Sequence, residues 1–155
     1  MKMSLVGFEH VFADSANVWI APELTVKIAS LPVVTLLKIA AYLDNPYDRE
    51  KDVEDLAAIL ARHEPEQARR FSDEIVMRHL NYEAVGAYWI GKDLRALCSM
   101  EEKTLVDHFI SQLSEEHSRT YQLFVRQMAS SLDDDGASKA EILTEALRAG
   151  FGAAQ

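Results

Sequence analysis

The sequence predicts a mostly helical α+β protein, a short amino-terminal β-hairpin followed by a helical bundle. Three observations carry this. Val18-Trp19-Ile20-Ala21 and Leu24-Thr25-Val26-Lys27-Ile28 are two runs rich in β-branched and aromatic residues, set around a Pro22-Glu23 turn. From Ser30 onward the apolar residues recur at helical spacing. Ser99-Met100-Glu101-Glu102 and Ser138-Lys139-Ala140-Glu141 both have the capping-box pattern, serine with glutamate three residues on. The expected organisation is a short helix and hairpin over 1–30, a helical domain over 31–113 and a helical extension over 114–155.

Phe8, Val11 and Phe12 predict one or two helical turns ahead of the hairpin. Trp19 is expected to pack on the helix that follows, because large aromatics gain most from burial. Ser30 can cap that helix, and Pro32 suits its first turn. Val33, Leu36, Leu37, Ala40, Tyr42 and Leu43 make it the central buried helix, with Lys38 its one charged interior residue. A second helix is expected from an Asp48 cap, with Val53, Leu56, Ala57 and Leu60 as its core stripe. Phe71, Ile75, Val76, His79 and Leu80 predict a third, and Tyr82 through Leu97 a fourth. The Ser99 box opens a fifth, and Ser114 a sixth with Tyr121, Phe124, Val125 and Met128 on one stripe. The Ser138 box opens the last helix, closed by Gly150. The overall expectation is one hairpin plus about six helices.

Composition narrows the function classes. The 155 residues are 48% hydrophobic and 26% charged, as in an ordinary globular chain. No apolar run approaches the ~20 residues that span a bilayer, so a membrane partner is not expected. The single cysteine, Cys98, precludes an internal disulfide framework, and no signal-peptide core follows the first residues. A reducing, cytoplasmic location is expected. The net charge of −9 opposes phosphate backbones, so the chain alone is not expected to bind nucleic acid. Asp133-Asp134-Asp135 is a like-charge run that reads as a solvated loop.

Self-contained catalytic motifs are absent. The six glycines form no phosphate-cradling loop, and no CxxC, HExxH or calcium loop occurs. Cys98 reads as a small core residue at the end of a helix. The five histidines, His10, His63, His79, His108 and His117, raise the question of a metal. The Glu-x-x-His spacing of two-iron bundles never occurs, however.

The segment from Leu31 to Leu60 is the informative one. Lys38 lies on the buried helix, and Lys51-Asp52-Val53-Glu54-Asp55-Leu56 opens the next. A half-buried lysine needs a carboxylate or phosphate partner. Asp52 and Asp55, three apart on one face, can supply it across the helical hairpin. On the residues alone this is either a structural ion pair or part of a ligand site.

The stretch Ser30-Leu31-Pro32-Val33-Val34-Thr35-Leu36-Leu37-Lys38-Ile39-Ala40-Ala41-Tyr42-Leu43-Asp44, with Arg49-Glu50-Lys51-Asp52-Val53-Glu54-Asp55-Leu56 after it, resembles the later half of the nucleotidyltransferase proteins related to the AbiEii/AbiGii abortive-infection toxins. Val6-Gly7-Phe8, the hairpin and Gly86-Ala87-Tyr88-Trp89-Ile90-Gly91-Lys92-Asp93 extend the resemblance over roughly residues 3–113. It implies transfer of a nucleotide from a nucleoside triphosphate to an acceptor, with magnesium, in intact relatives. It assigns Lys38 to the phosphates, with Lys51 beside it as a nucleotide-binding residue, and gives Asp52 and Asp55 an auxiliary catalytic role. The departure is equally definite. The family's Gly-Ser turn and Asp-x-Asp metal carboxylates have no counterpart here, and the one Asp-x-Asp, in Asp133-Asp134-Asp135, follows no such turn. The expectation is a truncated or split nucleotidyltransferase-like chain with no bound cofactor of its own and no activity alone. A second polypeptide, or a second copy, would pair with the hairpin edge. The rival expectation is a non-enzymatic helical interaction protein that dimerises.

Overall fold

A computed structural model describes residues 5–129 and 135–153. The element order is α1 (His10–Ala13), β1 (Ser15–Ala21), β2 (Leu24–Ala29), α2 (Leu31–Asp44), α3 (Glu50–Arg62), α4 (Gln67–Arg70) and α5 (Asp73–Met77). A 3-10 turn at Tyr82–Ala84 then leads into α6 (Val85–Leu97), α7 (Met100–Gln112), α8 (Arg119–Met128) and α9 (Gly136–Phe151). The chain is therefore α+β and mostly α, with the hairpin at its amino-terminal end.

β1 and β2 pair antiparallel, Val18 opposite Val26 and Trp19 opposite Thr25, with an irregularity between Trp19 and Ala21. Among the described residues no other strand joins them. Trp19 does not pack on α2: it is 72% exposed, and Ile20, Leu24 and Ile28 are exposed with it. The hairpin's main helix contact is the short α1, which has no buried residue to pack against it. The hairpin is tied back at its base. Ser30 N–H donates to the Asp14 carbonyl at 3.0 Å, and Asp14 N–H to that of His10 at 2.9 Å.

The core lies among α2, α3, α6, α7, α8 and α9. Leu36, Ile39, Leu56, Leu60, Tyr88, Ile90, Phe109, Phe124 and Leu147 are all in its buried cluster. Segments 31–113 and 114–155 thus contribute to one core. α3 buries the stripe its spacing predicts, whereas on α2 Leu37 and Leu43 are only half-buried and Thr35 and Ile39 are buried beside Val33, Leu36, Ala40 and Tyr42. α6 is buried almost all round, from Val85 through Ile90. It lies against α9 at very short range. A β-carbon at Gly91 would stand 2.3 Å from the Leu147 carbonyl oxygen, so only glycine admits this approach. A polar chain crosses the interior: Tyr42 Oη donates to Thr120 Oγ1 (3.0 Å), which donates to Gln112 Oε1 (2.6 Å).

Helix ends depart from expectation in several places. α3 begins at Glu50 with Arg49 as its cap, because the Asp48 carboxylate is taken by Asn45 Nδ2 at 2.7 Å. Ser30 occupies the cap position of α2, but its hydroxyl bonds Asp14 instead of the helix. The expected third helix is two single turns, α4 and α5. Phe71 and Val76 are exposed, leaving no stripe to hold a longer helix, and left-handed His79 (φ 51°) follows the second turn. α8 opens at Ser118, whose Oγ accepts from Tyr121 N–H at 2.9 Å, and not at Ser114, whose hydroxyl turns back to Ile110. The Ser99 capping box forms in full. The Ser138 box does not form, since α9 already starts at Gly136 and Ser138 lies inside it. Gly150 does not close α9, which runs on to Phe151. Asp135 caps α9, and the rest of the acidic run falls outside the described residues.

Candidate functional site

α2 and α3 run side by side, and the turn at Pro46–Asp48 sets their register. That register brings Lys38 against the first turns of α3. Lys38 Nζ donates to Asp55 Oδ2 at 2.6 Å and to Asp52 Oδ1 at 3.3 Å. Asp52 Oδ2 also accepts from Arg49 Nε at 2.7 Å. The three residues singled out by spacing therefore meet. Asp52 is the most enclosed at 8% exposure, which is tolerable because two cations share its charge. Burial works to lower the Lys38 pKa, but the bonds to Asp55 and Asp52 outweigh it and leave it above its ordinary value. Lys38 is an ammonium at neutral pH. Lys51 is exposed on the first turn of α3, and among the described residues no hydrogen bond joins it to the cluster.

This cluster fixes a half-buried ammonium between two helices. An ammonium has three donors. Two are aimed at Asp55 and Asp52, so one remains for an outside acceptor. It does not fit magnesium. Asp52 and Asp55 sit on one helix, and their oxygens already accept from Lys38 and Arg49. A magnesium pair of the family's kind needs free carboxylates converging from neighbouring strands.

Two other charged groupings were not legible in the sequence. Glu74 accepts from Lys92 Nζ at 2.6 Å and from the Tyr88 hydroxyl. The Lys92 and Tyr88 bonds hold its carboxyl below the ordinary range. Burial and Glu74 push the Tyr88 hydroxyl up to about 12. Beside it, Arg69 grips Asp93 through both guanidinium nitrogens (2.9 and 2.5 Å) and lies 4.1 Å over the Trp89 ring. The second grouping joins His10 to Glu102. Nε2 is 3.1 Å from each carboxylate oxygen, across 92 positions of sequence. Capping signals revealed Glu102 but nothing revealed its partner.

Cys98 is buried, as expected of a small core residue. Burial, then the nearby Glu102 charge, push its thiol up to about 12, so it is no nucleophile. His108 meets Gln112 on the surface. Among the described residues no helix is long and apolar enough to cross a membrane. No family model, curated protein or solved structure matches this chain.

Proposed function

We propose that the chain is the helical, phosphate-contacting part of a nucleotidyltransferase-type enzyme whose metal carboxylates come from another polypeptide. The convergence of Lys38 on Asp52 and Asp55 supports this most directly, since these are the positions to which the family resemblance gives a role. Lys38 would offer its remaining N–H to a nucleotide phosphate oxygen. Asp55 and Asp52 would keep it protonated and aimed. The hairpin's unpaired edges would take up strands of the partner's metal-binding sheet.

The test is titration of the full chain with ATP, alone and with magnesium. Weak ATP binding is expected, reduced about tenfold in Lys38→Met, in line with loss of one charged hydrogen bond, and no magnesium-dependent turnover. Unchanged ATP binding by Lys38→Met would remove the reading.

A second reading rests on the hairpin. Val18, Trp19, Ile20, Leu24 and Ile28 expose apolar surface on two unaccompanied strands, and a lone hairpin of that kind is marginal. In this reading the chain is a non-enzymatic interaction protein that dimerises through the hairpin, and the Lys38 cluster is structural. Sedimentation separates the two: a tight dimer that Trp19→Ser dissociates favours the second, a monomer the first.

A further inference from the structure

His10 Nε2 is equidistant from both oxygens of Glu102, 3.1 Å from each. A third donor is beside it. Glu9 Oε1 is 3.8 Å from the same nitrogen, and one ligand atom from each of Glu9, His10 and Glu102 falls within 4.8 Å of the others. Zinc bonds of about 2.0–2.1 Å in a tetrahedron put ligand atoms about 3.3 Å apart. The spacing from the imidazole nitrogen to both carboxylates brackets that edge.

Three further features suit an ion. Glu102 is 4% exposed, and a buried carboxylate is a costly residue to keep without a strong partner. Its Oε2 accepts from the Ser99 backbone N–H at 2.8 Å, an outer bond of the kind that fixes a metal-binding carboxylate in place. A cavity of about 280 Å³ opens directly on it, lined by Glu9, Glu101, Glu102, Ser99, Leu5 and Gly7. That leaves room for water to complete the coordination. The three carboxylates that line the cavity, Glu9, Glu101 and Glu102, give it the sign that draws a divalent cation.

We propose that Glu9, His10 and Glu102 form a binding site for a divalent first-row transition metal, zinc being the best fit for one imidazole and two carboxylates. Glu9 and His10 belong to the start of α1, and Glu102 to the first turn of α7. The ion therefore fastens the hairpin's base to the helical core. This site is independent of the Lys38 cluster and stands whichever functional reading holds.

The experiment uses the full chain, stripped with a chelator and titrated with zinc chloride by calorimetry, with a thermal melt at each end point. The expected result is saturable binding of one ion per chain and a melting midpoint that rises with zinc. Glu9→Gln and His10→Gln are expected to weaken binding by at least about tenfold, the least that loss of a direct ligand costs when outer-shell changes already cost 10–100-fold. Glu9 has a 75% exposed side chain, so Glu9→Gln leaves the core packing unchanged. A paired His108→Ala, His117→Ala variant is expected to bind as the parent does. No saturable binding, equal binding by Glu9→Gln, or loss of binding in the His108/His117 variant would each overturn the site.

Discussion

A β-carbon on Gly150 would stand 1.9 Å from the carbonyl oxygen of Tyr88. α6 and α9 therefore touch backbone to backbone, and Gly91 makes the reciprocal approach from α6. Backbone atoms cannot swing aside as side chains do. Gly150→Ala is expected to part the two helices and to destabilise the fold by about 2–4 kcal/mol, the upper range for core overpacking. Urea denaturation checks this, and a loss under 1 kcal/mol would mean that the helices can separate freely.

The Lys38 cluster makes a graded prediction. Asp55 is 42% exposed and Asp52 retains Arg49, so neither acid is stranded when the ammonium is removed. Lys38→Met is expected to cost about 1–2 kcal/mol, the range for a charged hydrogen bond that is partly screened. Asp52→Ala is expected to cost more, about 2–3 kcal/mol, because it releases two cations from the most enclosed member. A double-mutant cycle gives the coupling directly. Reversal of that order would show that Asp52 is not the keystone of the α2–α3 crossing.

Glu74 predicts an acid limb. Its bonds to Lys92 and Tyr88 depress its folded pKa below the ordinary 4.5. Its contribution is therefore complete above pH 4.5 and is lost as pH falls through the lower, folded value. In Glu74→Gln that portion of the pH dependence is expected to vanish, seen as a flatter stability curve on the acid side in urea melts from pH 3 to 7. An unchanged acid limb would assign the effect to other carboxylates.

Cys98 predicts chemical silence. Buried and with its thiol pushed up to about 12, it offers almost no thiolate at neutral pH. Native chain is expected to resist iodoacetamide for as long as it stays folded, with labelling appearing in step with unfolding. Rapid stoichiometric alkylation of folded protein would contradict the burial of Cys98.

What the sequence made legible was what periodicity encodes. Val33, Leu36 and Ala40 on α2, and Val53, Leu56 and Leu60 on α3, repeat at spacings that only a helix brings to one side. Lys38 was conspicuous because it interrupts such a stripe, and its two acids lie within two turns of one another. The Ser99 box was legible because its reciprocal bonds are local. Trp19 misled because hydrophobicity states a preference for burial and not whether a surface is within reach. Ser114 and Asp48 misled because a cap-forming residue competes with other acceptors and donors that the linear chain does not reveal, and Ser138 because α9 begins two residues before it. His10 with Glu102, and Glu74 with Lys92, are set by tertiary approach and leave no periodic trace.

The two tryptophans occupy opposite surroundings, Trp19 72% exposed on the hairpin and Trp89 7% exposed beneath Arg69. The molecule thus carries its own pair of optical reporters. Red-edge emission quenchable by iodide reads the hairpin, and blue emission shielded from iodide reads the α6 interior. Any event that engages the strands will change the first signal while leaving the second constant, with no label added.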